Sequence, residues 1–94
     1  MFSYSINSLL VFYEVVKASS FSKAADILFM TQPGVSNHVS QLEAQVGRPL
    51  LKREKGKFQL TKEGRTVFKY AEKIETLAKE LEHIIRNLQK DMKP

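Results

Sequence analysis

The sequence predicts a mainly α fold: three short helices, a small β-hairpin and one long helix to finish. Apolar residues recur at spacings of three and four in four segments, the period of a helix face. Around the glycine of "EKGK" that period breaks into two short apolar-polar segments. Beyond Thr61 a single amphipathic pattern runs to about Gln89. Ninety-four residues allow one small domain, and without a cysteine neither a disulfide framework nor a thiolate metal site can brace it. Its core must therefore come from side-chain packing, for which a hydrophobic content of 43 % is enough. No apolar run approaches the roughly 20 residues that span a bilayer, and "MFSYSINS" lacks the basic start of a secretory signal. The expectation is a cytoplasmic protein with no membrane partner.

In chain order, Leu9, Phe12, Tyr13 and Val16 fall on one face of a helix over Asn7 to Ala18, with Ser5 or Asn7 available as its N-cap. "ASSFS" ends it. A short second helix, "SKAADILF", is expected to start at a capping serine, Ser22, and its paired alanines allow another helix to approach closely. Met30 forms the turn. Thr31 then caps a third helix whose first turn can hold Pro33, because the earliest N–H groups of a helix have no internal acceptor. Val46-Gly47 supplies its stop. Leu50 to Arg53 and Lys57 to Leu60 read as the strands of a hairpin with a basic tip. Thr61 can cap the last helix with Glu63 well placed in its first turn, and the roughly 28 residues of that helix would measure about 42 Å. The predicted organisation is residues 1–60 as a compact unit and 61–94 as a linker or dimerisation helix and tail.

Charge is unevenly spread. Of a net charge of +5, residues 31–66 hold +4, with seven basic groups (Arg48, Lys52, Arg53, Lys55, Lys57, Lys62, Arg65) against three acidic ones. Residues 27–47, by contrast, contain a single charge, Glu43. With Val35, Val39, Leu42 and Val46 turned inward, the third helix presents Pro33, Asn37, Ser40, Gln41 and Ala44 outward, flanked by Gln32 and Ser36. Gln and Asn can donate to and accept from an adenine edge, Ser takes either role, and small residues let a helix sit deep in the major groove. An outward acid there would repel phosphate, whereas the partial positive charge of the helix N-terminus attracts it. Gly34, which costs a helix interior about 1 kcal/mol relative to Ala, is tolerable in a first turn that lies close to DNA.

A neutral polar helix face is often just solvated, and hairpin lysines often serve only solubility. Two helices joined by a tight turn and followed by a basic hairpin form a more specific combination. It is the layout of a winged helix-turn-helix, three helices plus a small β-hairpin wing, here followed by a long dimerisation or linker helix.

Ser22-x-Ala24-Ala25-x-x-Leu28-x-x-Thr31-Gln32-Pro33-x-Val35-Ser36-x-x-Val39-x-x-Leu42-Glu43-x-x-Val46-Gly47-x-x-Leu50-Leu51-x-Arg53, then Leu60-Thr61-x-x-Gly64, resembles the N-terminal DNA-binding region of LysR-type transcriptional regulators. Leu9, Phe12 and Phe21 also stand where that family places first-helix and turn hydrophobics. The resemblance implies a bacterial regulator that binds a partly palindromic double-stranded promoter site as a homodimer, with tetramers possible in a full-length protein. Together with the outward face of the third helix, it gives an expectation of base contacts from Gln32, Pro33, Ser36, Asn37 and Ser40. Backbone and wing contacts would come from Ser22, Thr31, His38, Arg53, Lys55 and Lys57. Three positions depart from the family pattern: Gly34 where alanine, serine or proline is common, Leu51 where phenylalanine is common, and Asn37 where many members carry arginine. An arginine pairs with guanine in bidentate fashion and asparagine favours adenine, so the family's base preference does not transfer at Asn37.

In the last helix Val67, Ala71, Ile74, Ala78, Leu81, Ile85, Leu88 and Met92 alternate spacings of four and three, the seam of a helix pair, and Tyr70, Leu77 and Ile84 widen the stripe. A monomer this small has little with which to cover so broad an apolar face. The helix could fold back on its own body, pair with a second copy, or divide its length between the two. In the family it pairs antiparallel across the dimer. The family normally continues into an effector domain of about two hundred residues, a usual domain size, so no cofactor is expected in this segment and a small-molecule effector would bind elsewhere.

Enzymatic chemistry has little support. His38 and His83 lie on different helices, and no Gly-rich phosphate loop or paired metal ligands occur. His38 reads as a DNA-edge or phosphate contact and His83 as solvated. Two alternatives are a protein-interaction module, in which the last helix is the function, and another winged-helix family such as the molybdate-responsive regulators. The first predicts weak, sequence-indifferent DNA binding, and the second a different downstream domain.

Overall fold

The structure, a computed structural model, describes residues 1–54 and 57–91, with the backbone alone at Arg53, Glu54 and Lys57. The expected basic tip at Lys55, the turn glycine Gly56 and the seam residue Met92 therefore lie outside the described residues. The elements follow the order α1 (Ile6–Ala18), α2 (Phe21–Leu28), α3 (Gln32–Val46), β1 (Leu51–Glu54), β2 (Lys57–Leu60) and α4 (Lys62–Asp91). The hairpin begins one residue later than the periodicity suggested, and α4 ends two residues later.

Each helix starts at a hydroxyl side chain that accepts a hydrogen bond from an otherwise unpaired N–H of the first turn. Ser5 Oγ accepts from Ser8 at 3.1 Å, Thr31 Oγ1 from Gly34 at 3.1 Å, and Thr61 Oγ1 from Gly64 at 2.9 Å. In α2 the cap is Ser20, which accepts the Lys23 N–H at 3.0 Å, and not Ser22 as the sequence suggested. Ser20 has the extended backbone of a cap. Starting the helix there draws Phe21 into its first turn, where the ring lies 5.7 Å from that of Phe58 on β2. Residues in the left-handed region close the first three helices: Ser19 (φ 51°), Phe29 (φ 55°) and Gly47 (φ 79°).

The core is centred on α1, which packs against α2, α3 and α4. Phe12, Val15, Ala24, Val35, Leu50 and Ala71 are 0 % exposed, and Leu42 is 1 % exposed. Full burial of a Val, Leu or Phe side chain stabilises by about 1.5–3 kcal/mol, so these few residues carry much of the fold. Ala24 and Ala25 bring α2 close, as the sequence indicated, and Val35, Val39 and Leu42 form the inner face of α3. The strands are antiparallel, with Leu51 opposite Leu60, Lys52 opposite Gln59, and Arg53 opposite Phe58. Leu51, Phe58 and Leu60 pack against the core, while Lys52 and Gln59 are exposed.

The first half of α4 belongs to this body. Val67, Phe68 and Ile74 pack on the core, Ala71 is buried, and the Phe68 ring stacks on Tyr13 at 5.4 Å. From Lys79 onward every described residue is exposed. The radius of gyration, 15.3 Å, exceeds the roughly 12 Å of a compact chain of this length because α4 projects beyond the body.

Candidate nucleic-acid interface

The α2–turn–α3 unit is built to hold one face of α3 outward. Met30 donates its N–H to the Ala25 carbonyl at 2.9 Å, which folds the turn back on α2. Pro33 occupies the first turn of α3, where its missing N–H leaves no acceptor unsatisfied. With Val35, Val39 and Leu42 anchored in the core, Gln32, Pro33, Asn37, Ser40, Gln41 and Ala44 are exposed, and Ser36 is half-buried beside them. The face is neutral, polar or small along its whole length. Gly34 has an internal reason as well as a surface one: a Cβ there would lie 3.0 Å from the Thr31 hydroxyl that caps the helix.

His38 sits apart from this face. It is half-buried, and its Nδ1 hydrogen-bonds Ser8 Oγ of α1 at 3.0 Å, so that nitrogen is committed within the chain. Thr31 and Ser22 are exposed, and the Thr31 hydroxyl is engaged as the cap of α3. Lys52 projects from β1 on the exposed side of the hairpin, and Lys62 and Arg65 are exposed at the start of α4. The side chains of Arg53, Lys55 and Lys57 lie outside the described residues.

Two contributors carry roles that the sequence did not assign. Ser8, buried at 1 % exposure, ties His38 to α1. Glu43 accepts the backbone N–H groups of Leu50 and Leu51 at the start of the wing. The lone charge in a neutral run was the available signal for Glu43, but its acceptor role depends on how the chain returns after Gly47.

The seam of α4 divides in two. Val67, Ala71 and Ile74 pack within the chain, and Ala78 is half-buried. Leu77, Leu81, Ile84, Ile85 and Leu88 are 42–63 % exposed. Next to the packed half, an open apolar groove of about 300 Å³ runs between α3 and α4, lined by Leu42, Val46, Val67, Tyr70 and Ile74 and edged by Phe2 and Tyr4. Among the described residues, no group of three or more His, Asp or Glu side chains is placed to hold a metal ion. No helix there is long and apolar enough to cross a membrane.

Residues 6–65, more than half of the chain, match the family described as "Bacterial regulatory helix-turn-helix protein, lysR family". The chain is 39 % identical over 77 residues to a probable RuBisCO transcriptional regulator of Cyanidioschyzon merolae, covering 82 % of this chain and 25 % of that protein. It is 37 % identical over 84 residues to the RuBisCO operon transcriptional regulator of Allochromatium vinosum, covering 89 % and 28 %. It thus spans about a quarter of the length of these curated relatives. Among solved structures it is similar to the BenM DNA-binding domain in complex with catB site 1 DNA. The TM-score is 0.81 at 30 % identity, covering 92 % of this chain and 97 % of that one.

Proposed function

The chain belongs to the lysR family of bacterial regulatory helix-turn-helix proteins as one of its DNA-binding domains, and from that premise we propose how it reads DNA. α3 enters the major groove, and Gln32, Pro33, Ser36, Asn37 and Ser40 meet base edges. Ser22, Thr31, Arg53, Lys55 and Lys57 follow the backbone, the last three carrying the wing toward the adjacent minor groove. His38, tied to Ser8, borders the base-reading face and contributes a phosphate contact at most through its second ring nitrogen. The observation that carries this reading is the outward face of α3, exposed and uncharged while its opposite face is locked into the core. A merely solvated helix has no need to exclude charge, whereas a groove-reading one excludes acids and favours two-way hydrogen-bonding groups.

The molecule acts as a homodimer through the second half of α4, from half-buried Ala78 through exposed Leu81 and Ile85 to Leu88. The protruding stripe is what a second copy would cover, and pairing sets the separation of two recognition helices on a two-fold site. In a full-length protein such dimers could assemble into tetramers, and an effector would bind a domain beyond this segment.

The test is selection of bound sequences from a random duplex library, with affinities for the winner and a scrambled duplex compared at two salt concentrations. A two-fold-symmetric consensus that persists at the higher salt is expected. If nothing is enriched and binding vanishes with salt, the contacts are electrostatic alone and the base-reading assignment falls.

A further inference from the structure

Glu43 is the one charged residue between positions 27 and 47, and it lies on the helix that would meet a polyanion. A free carboxylate there would oppose binding. Its surroundings account for its position. Glu43 Oε2 accepts the backbone N–H of Leu50 at 2.7 Å and that of Leu51 at 3.3 Å. Leu50 is 0 % exposed and precedes β1, outside the strand ladder, while Leu51 opens the strand. A buried N–H without an acceptor keeps its full desolvation penalty, and a charged acceptor forms the stronger bond.

The same short segment is held from the opposite side by the start of α4. Thr61 Oγ1 donates to the Pro49 carbonyl at 2.8 Å, and the Thr61 N–H donates to the Leu50 carbonyl at 3.0 Å. Gly64 brings the first turn of α4 so close that a Cβ would overlap the Leu50 carbonyl oxygen. Residues 49–51 are thereby gripped between α3 and α4, and among the described residues Glu43 is the link that α3 itself supplies.

We infer that Glu43 is a positioning residue for the wing: by capping the two N–H groups that lead into β1, its carboxylate sets the offset of the hairpin from α3. Base-reading face and wing then meet one duplex in a fixed register. The inference rests on the proposed roles of α3 and the hairpin in DNA binding. Half-buried and turned to two N–H dipoles, the carboxylate charge is directed into the fold and away from phosphate.

The test compares the unaltered chain with Glu43→Ala, Glu43→Gln and, as the reference for a lost wing contact, Lys57→Ala. Binding to the selected and the scrambled duplex is measured across a salt series, and amide hydrogen exchange at Leu50 and Leu51 is read on the free proteins. Glu43→Ala should bind both duplexes about tenfold more weakly, with a salt slope lower by about 1, as for Lys57→Ala. The ratio between the duplexes should stay the same. Exchange should quicken at Leu50 and Leu51 but not within α3, and Glu43→Gln, which keeps an oxygen acceptor, should recover most of each change. A full salt slope in folded Glu43→Ala, alongside a lowered one in Lys57→Ala, overturns the positioning role and leaves the DNA reading intact. If Glu43→Ala does not fold, Glu43→Asp, whose shorter side chain draws the carboxylate back from the two N–H groups, takes its place: a lowered salt slope supports the positioning role and a full one overturns it. If the unaltered chain selects no duplex, the functional reading fails, and unchanged exchange at Leu50 and Leu51 would overturn the positioning role separately.

Discussion

Phe29 holds a left-handed backbone at φ 55° with 97 % of its surface exposed, a combination that stability alone would not select. A side chain with a Cβ loses roughly 1–2 kcal/mol in that region, and an exposed phenyl ring recovers none of it by burial. Asparagine tolerates the conformation better. Phe29→Asn is therefore expected to stabilise the fold by about 1 kcal/mol, a rise in Tm of about 4–8 °C for a domain of this size, which thermal unfolding followed by circular dichroism would show. The residues proposed to read bases make the opposite kind of prediction. Gln32 and Asn37 are exposed, so replacing either by Ala should leave Tm nearly unchanged. Discrimination between the selected duplex and single-base variants should fall by about 1–3 kcal/mol per lost contact. Equal discrimination by the variants, in competition binding, would remove that residue from the base contacts. Both positions were legible in the sequence because a helix face is set by a local period. The Ser8 to His38 bond was not, since it joins residues thirty positions apart.

Among the elements, α2 shows where local reading succeeds and where it stops. Its existence and its small inner face at Ala24 and Ala25 follow from eight residues of sequence. Its start does not, because Ser19, Ser20 and Ser22 all carry a capping side chain and only the packing of Phe21 near Phe58 separates them. Ser20→Ala should cost about 1 kcal/mol of stability, and Ser22→Ala only a few tenths. Denaturant titration of the two variants checks this, and equal losses would contradict the observed cap. The hairpin is a similar case. Its strands were evident from the two segments around "EKGK", but strand pairing begins only at Leu51 because Leu50 is claimed by the core and by Glu43.

At the scale of the whole molecule, α4 is a helix with two halves of different character. Glu75 with Lys79 and Glu82 with Arg86 pair at i,i+4 along it, at 3.9 and 3.6 Å. Helical i,i+4 pairs stabilise by only about 0.3–0.5 kcal/mol each, too little to hold a protruding apolar stripe in water by themselves. The proposed second copy would supply the missing burial. Leu81→Glu, on the exposed half, is expected to leave the helical body folded and convert the dimer to a monomer, as light scattering would show. An unchanged mass would overturn pairing through this half. By itself the sequence determined the element order, the N-caps of α3 and α4, the inner and outer faces of α3, the basic charge of the hairpin segment and the family, all of which depend on local periods, turn chemistry or a motif with fixed gaps. Only the tertiary structure decided how much of the α4 seam the chain buries within itself, because Val67 and Leu81 occupy equivalent positions in one repeating pattern. What separates them is the reach of α1, which packs against the first half of the helix and leaves the second exposed among the described residues.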